Sequence, residues 1–136
     1  MLQQSLELQG LTGSVVLLLL LVFIQAQTAN AEKGQAWAVS PRDGIDNVPQ
    51  GLLSGRAKRA LENYKETLPA FIALVLLLVL THRTGGLGQL GVLVWIGARL
   101  IYIPLYLAGV PYLRTLAWLV SIGGLVMMLV RLFTGG

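Results

Sequence analysis

Apolar positions fall into four long blocks separated by short polar breaks. Residues 6–26 form the first, with residues 17–22 almost pure leucine; about 20 apolar residues suffice to cross a bilayer as a helix. Residues 27–55 are the long polar stretch, where Pro41, Gly44, Pro49, Gly51 and Gly55 predict loop. Ser54 is the expected N-cap of a second helix over about 56–81. That helix changes character midway: residues 56–66 are dense in charge and residues 68–80 apolar throughout. The stretch 81–88 (THRTGGLG) reads as a turn. Residues 87–133 are too long for one span at about 1.5 Å per residue. The sequence Ala108-Gly109-Val110-Pro111 divides them into helices over about 87–108 and 111–133, with Pro104 a candidate kink in the third.

The prediction is an all-α integral membrane protein: a single domain over residues 1–136, folded as a bundle of four transmembrane helices around one loop, 27–55. A competing reading makes the first block a cleaved leader, with Ala29-Asn30-Ala31 as its small-residue site. The absence of lysine and arginine from residues 1–10 argues against it. Lys33, Arg42, Arg56, Lys58, Arg59, Lys65, Arg99 and Arg114 gather at the loop end, leaving Arg83 and Arg131 at the other. By the positive-inside rule the loop end is cytoplasmic and both termini are non-cytoplasmic. The localisation expected is multi-pass integral membrane, the plasma or inner membrane in a bacterium.

Composition narrows the chemistry. Charged residues make up 12% of the chain and apolar ones 55%, against roughly 25% charged in a soluble domain. With no cysteine and a single histidine, His82, thiolate or multi-histidine metal sites and a cysteine nucleophile are excluded. The net charge of +4 forms no basic stripe, so nucleic acid is not an expected partner.

The informative charges are those inside the spans, where a charged side chain costs about 2.5–3.5 kcal/mol unless it meets a partner or a wet cavity. At 100° per residue, Arg56, Arg59, Asn63 and Glu66 share an arc of about 80° on the second helix. Arg99, Tyr102 and Tyr106 share about 60° on the third. Glu66 lies about 15 Å in from Arg56, and Arg99 about 14 Å in from Ala108. This predicts a polar ladder in which Glu66 faces Arg99 on the same or a neighbouring subunit. Simpler readings stand beside it. Lys58, Glu62 and Lys65 fit a solvated or snorkelling arc, and Arg56 fits a headgroup anchor. Tyr112 and Trp118 fit interfacial or packing aromatics, and His82 and Arg83 a solvated turn. Gly86, Gly88, Gly91 and Gly97 fit close helix contact.

The run RAKRALENYKETLPAF, residues 56–71, resembles the second-helix signature of the MAPEG proteins (membrane-associated proteins in eicosanoid and glutathione metabolism), R-x-x-R-A-x-x-N-x-x-E-x-x-P-x-F. Arg56, Arg59, Ala60, Asn63, Glu66, Pro69 and Phe71 match in register. In ARLIYIPLY, residues 98–106, Ala98, Arg99, Tyr102 and Tyr106 are similar to the family's third-helix A-R-x-x-Y-x-x-x-Y. The resemblance implies a homotrimer that binds glutathione as cosubstrate between subunits near the cytoplasmic face. It carries Arg56, Arg59, Asn63, Glu66, Arg99 and Tyr102 over as glutathione-binding residues. It also carries over Arg114 as the cation at the glutathione sulfur, with Tyr106 as hydrogen-bond donor. Gln25 and Gln27 depart from an arginine found in several enzymes of the family, and Thr67 from a tyrosine.

Glutathione suits these residues chemically: arginines can grip its carboxylates bidentately, Glu66 its ammonium and Asn63 its peptide groups. The function expected is a glutathione-dependent transferase or peroxidase acting on lipophilic electrophiles or lipid hydroperoxides drawn from the membrane lipids. The alternatives are a non-catalytic lipid-binding or scaffold member of the same fold, and a small four-helix transporter built around Glu66. The basic surroundings of Glu66 suit an anion site better than a cation relay.

Overall fold

A computed structural model describes residues 5–33 and 52–134, and residues 34–51 of the expected loop lie outside the described residues. Four helices follow one another: α1 (Leu6–Lys33), α2 (Leu52–Leu80), α3 (Gly86–Ala108) and α4 (Pro111–Thr134). All four are long and apolar enough to cross a membrane. The expected four-helix membrane bundle is therefore the fold.

Two helix ends differ from the sequence reading. α1 runs on to Lys33 instead of stopping near residue 26. The extension QTANAEK contains good helix formers and neither glycine nor proline until Gly34, so the helix outlasts its apolar segment. The Ala29-Asn30-Ala31 triplet is accordingly helical, with Ala29 buried. α2 begins at Leu52, directly after the breakers Pro49 and Gly51, which places Ser54 inside the helix and buried instead of at its cap. α2 and α3 continue through Pro69 and Pro104.

The core is organised by α2. Its uniformly apolar half hides a periodicity that only packing selects: Tyr64, Leu68, Phe71, Val75 and Leu78 are buried, spaced three and four residues apart along one face. Trp95 of α3 inserts against this stripe, stacked on Phe71 at 4.0 Å and tilted to Tyr64 at 5.5 Å. The Tyr64 hydroxyl donates to the Ser14 carbonyl of α1 at 2.6 Å, tying a third helix in. α3 and α4 make the closest approach, backbone to backbone. A Cβ on Gly91 would stand 2.6 Å from the Gly124 oxygen, and one on Gly124 2.7 Å from the Gly91 oxygen. The outward faces are apolar, with Leu19, Leu100 and Phe133 at 62%, 54% and 83% exposure, a surface suited to hydrocarbon instead of water.

Each end of the bundle is fastened. The α2–α3 turn meets the start of α1 and the end of α4. There Glu7, almost wholly buried, accepts the Gly85 N–H at 2.7 Å. Arg131 donates to the carbonyls of Arg83 at 3.0 Å and Thr84 at 3.1 Å, while Arg83 donates to the Leu132 carbonyl. Arg83 is therefore engaged instead of solvated, whereas His82 is exposed. At the opposite end Gly109 closes α3 in the left-handed region (φ 77°).

Candidate functional site

The site grows from the bundle end that holds the start of α2, the end of α3 and the α3–α4 turn, where polar residues enter the bundle. Arg99 is fully buried on α3. Its guanidinium donates to Asn63 Oδ1 at 2.8 Å and to Thr67 Oγ1 at 2.6 Å. The rings of Tyr102, Trp95 and Tyr64 surround it, their centroids 5.2, 5.8 and 6.0 Å from Cζ. It makes no salt bridge among the described residues, although the Glu66 carboxylate acts on it at longer range. A buried cation is tolerable here because two charge-assisted hydrogen bonds and three ring faces replace part of its hydration.

The predicted Glu66–Arg99 rung is not formed within the chain. Asn63 and Thr67 are four residues apart, about 40° on the helix, and Arg99 sits against that edge. Glu66 lies about 60° beyond Asn63 on the other side and is exposed. Arg59 shares the exposed face with Glu66. Arg56 is turned toward α3, where its Nη1 donates to the Leu107 carbonyl at 3.2 Å. The polar arc of α2 is thus divided three ways: one edge to Arg99, one face outward, and one side chain to the end of α3.

In front of Arg99 opens a cavity of about 160 Å³, lined by Asn63, Tyr102, Arg114, Thr115 and Trp118. Asn63 and Tyr102 both line it and both contact Arg99. Tyr106, one turn beyond Tyr102, has its ring 5.4 Å from that of Tyr102. The Arg114 guanidinium lies 4.6 Å from the Tyr106 ring centroid and has no acidic partner among the described residues. Of the residues singled out in the sequence, Asn63, Arg99, Tyr102, Tyr106 and Arg114 are therefore brought together. Arg56, Arg59 and Glu66 are not among the residues lining the cavity.

Sequence reasoning missed Thr67, Thr115 and Trp118. Thr67 was visible only as a departure from a pattern, and its hydroxyl accepts from Arg99. Trp118 follows Arg114 by four residues, a spacing that returns to the same helix face and could have signalled it. Tyr112, by contrast, is 87% exposed.

The lining of this cavity supplies several donors beside the hydroxyls of Tyr102 and Thr115. Asn63 Oδ1 is occupied by Arg99, which leaves its amide N–H groups. Of the lining residues, Trp118 has a buried indole N–H without a partner among the described residues; the N–H groups of Trp95 and Arg99 (Nε) that share this state lie outside the lining. With the Arg114 guanidinium, which has no acidic partner among the described residues, the lining favours a ligand rich in acceptors or negative charge.

A family model for the MAPEG family matches residues 11–134, nearly the whole chain. The chain belongs to the MAPEG family. No curated protein and no solved structure matches it. The match runs from the second turn of α1 to the end of α4, so it takes in part of α1 and the whole of the other three helices. Membership establishes a multi-pass integral membrane protein of the family that contains the glutathione and eicosanoid enzymes.

Proposed function

We propose that this MAPEG protein is a glutathione-dependent transferase or peroxidase acting on lipophilic electrophiles or lipid hydroperoxides. Glutathione binds near the cytoplasmic face, between subunits of a homotrimer. The observation that carries the reading is Arg114: a guanidinium with no acidic partner among the described residues, held against the Tyr106 ring on the wall of a cavity that also presents the Asn63 amide and the Trp118 indole. A cation so placed favours a thiolate over a thiol, and bringing a thiol from about 8.5 down to near 6.5 requires roughly 2.7 kcal/mol. The sulfur proton leaves to solvent, with Tyr106 as donor to the anion. The thiolate then attacks the electrophilic carbon and expels its leaving group. The chain's lack of cysteine is no obstacle, since the sulfur comes from the cosubstrate.

Two features support a site completed by a second copy. At about 160 Å³ the cavity is smaller than the roughly 300 Å³ at which small-molecule sites begin. Arg59 and Glu66 are uncovered on a membrane-spanning helix, where uncompensated charge is costly. A neighbouring subunit against α2 would enlarge the first and cover the second. Arg59 and Glu66 would then grip a glutathione carboxylate and its ammonium from α2.

The test is isothermal titration of glutathione into detergent-purified protein, followed by conjugation to an aryl halide. Binding with turnover is the expected result. Absence of binding at millimolar glutathione would shift the reading to a non-catalytic lipid-binding or scaffold member. A separate apolar groove of about 590 Å³ favours that second reading. It is lined by Leu18, Leu68, Pro69, Ile72, Ala73 and Leu76, with Lys65 as its single charge, and could hold an acyl chain.

A further inference from the structure

Arg56 stands in the family signature beside the residues expected to hold glutathione, yet its geometry is that of a brace. α3 ends in a Schellman arrangement: Val110 N–H donates to the Leu105 carbonyl at 3.0 Å and Gly109 N–H to the Tyr106 carbonyl at 3.1 Å. The Leu107 carbonyl is left over, and Arg56 Nη1 donates to it at 3.2 Å. A cation on the last carbonyls of a helix also opposes the helix dipole favourably. The guanidinium lies so close to the turn that a Cβ on Gly109 would stand 2.6 Å from Nη2 and 2.7 Å from Cζ. Glycine is therefore required here twice over, for its positive φ and for the room it leaves Arg56.

The braced turn joins the two residues proposed to handle the sulfur. Tyr106 is in the last turn of α3, and Arg114 is in the first turn of α4, where its N–H donates to the Val110 carbonyl. With only Gly109 and Val110 between the helices, the turn's conformation sets where the Arg114 guanidinium meets the Tyr106 ring. We infer that Arg56 is a positioning residue, which fixes the α3–α4 turn and through it the placement of Arg114 at the bound thiolate, and not a grip on glutathione itself. This rests on the glutathione reading above.

The experiment compares Arg56→Ala, Arg56→Lys and Gly109→Ala with the wild type in three measurements. These are glutathione affinity by titration calorimetry, kcat with an aryl halide, and the pH midpoint of thiolate formation by bound glutathione, followed by ultraviolet absorbance. For Arg56→Ala, Kd is expected to stay within about twofold. Its kcat is expected to fall about tenfold and its thiolate midpoint to rise about one pH unit. Arg56→Lys, which can still donate to Leu107, restores part of the loss. Gly109→Ala, which displaces the guanidinium from the other side, reproduces the Arg56→Ala signature and serves where that variant does not fold. In an Arg114→Ala background, Arg56→Ala adds nothing to the change in midpoint, as coupling through Arg114 requires. Weakened affinity with kcat and midpoint intact would make Arg56 a ligand grip and overturn the inference. Unchanged values in all three would make it a headgroup anchor and overturn it equally. If the wild type binds no glutathione, the glutathione reading and this inference fall together. If the wild type binds and ionises glutathione normally but the variants match it, only the inference falls.

Discussion

At the scale of single residues, the site is decided by which acceptor each cation reaches. Arg99 uses Asn63 and Thr67, two neutral acceptors four residues apart, and this makes Thr67 more important than its ordinary appearance suggests. Thr67→Val keeps the side chain's shape and removes the hydroxyl, leaving a buried guanidinium one acceptor short. A loss of about 1–3 kcal/mol is expected, seen as a lower thermal midpoint in detergent. An unchanged midpoint would mean that Arg99 finds another acceptor without cost. Arg114 is the contrasting case, a cation with a ring beneath it and no acidic partner among the described residues. Arg114→Ala is expected to leave glutathione bound while kcat/KM for an aryl halide falls by about a hundredfold, near 2.7 kcal/mol of transition-state stabilisation. Retained turnover in Arg114→Ala, alongside abolished turnover in Asn63→Ala, would remove Arg114 from the chemistry but keep the cavity as the binding site.

At the scale of helices, the amino-acid pattern is a good guide to number and a poorer one to detail. The length of each apolar block and the Gly109-Val110-Pro111 break imply four helices because hydrocarbon demands long, internally hydrogen-bonded segments. Their ends are less legible, since α1 continues on helix propensity after its hydrophobic run is over. The polar arc on α2 is also readable, but its division is not. A helical wheel places Asn63 and Glu66 on one arc of about 80° or less, whereas Arg99 packs against only the Asn63–Thr67 edge. The glycines of α3 illustrate the same limit. Four stand out in the sequence, and Gly91 is the one pressed against the backbone of α4, while a Cβ on Gly97 would meet nothing within 4 Å. Overpacking at a close contact costs about 1–3 kcal/mol. Gly91→Ala and Gly124→Ala should therefore each lower the thermal midpoint clearly, and Gly97→Ala should not. Equal behaviour of the three would show that the α3–α4 crossing relaxes freely.

At the scale of the whole molecule, the two ends of the bundle have separate tasks. The end with the α3–α4 turn holds the cavity. The far end holds a clasp in which one peptide unit, Thr84–Gly85, offers its carbonyl to Arg131 and its N–H to Glu7. That unit couples an anion on α1 to a cation on α4 without direct contact, and it joins helices distant in sequence. Between the ends, the uncovered face of α2 carries Arg59 and Glu66, then the small exposed residues Ala70 and Ala73. Glu66 and Ala73 are seven residues apart and so nearly eclipsed along the helix. A face that is charged above and small below suits neither lipid nor water, but it would let α2 helices of neighbouring copies approach closely. The cysteine-free chain makes this directly measurable, because a single Ala73→Cys substitution introduces the only thiol. Membranes carrying that variant are expected to give covalent dimers under mild oxidation, the product when two subunits of the proposed trimer are linked and the third is left over. A disulfide requires Cα atoms within about 7 Å, so the product reports close α2–α2 approach and not mere proximity. Monomer alone, with the thiol still open to alkylation, would place the subunit contact on another face and leave Arg59 and Glu66 to find their partners elsewhere.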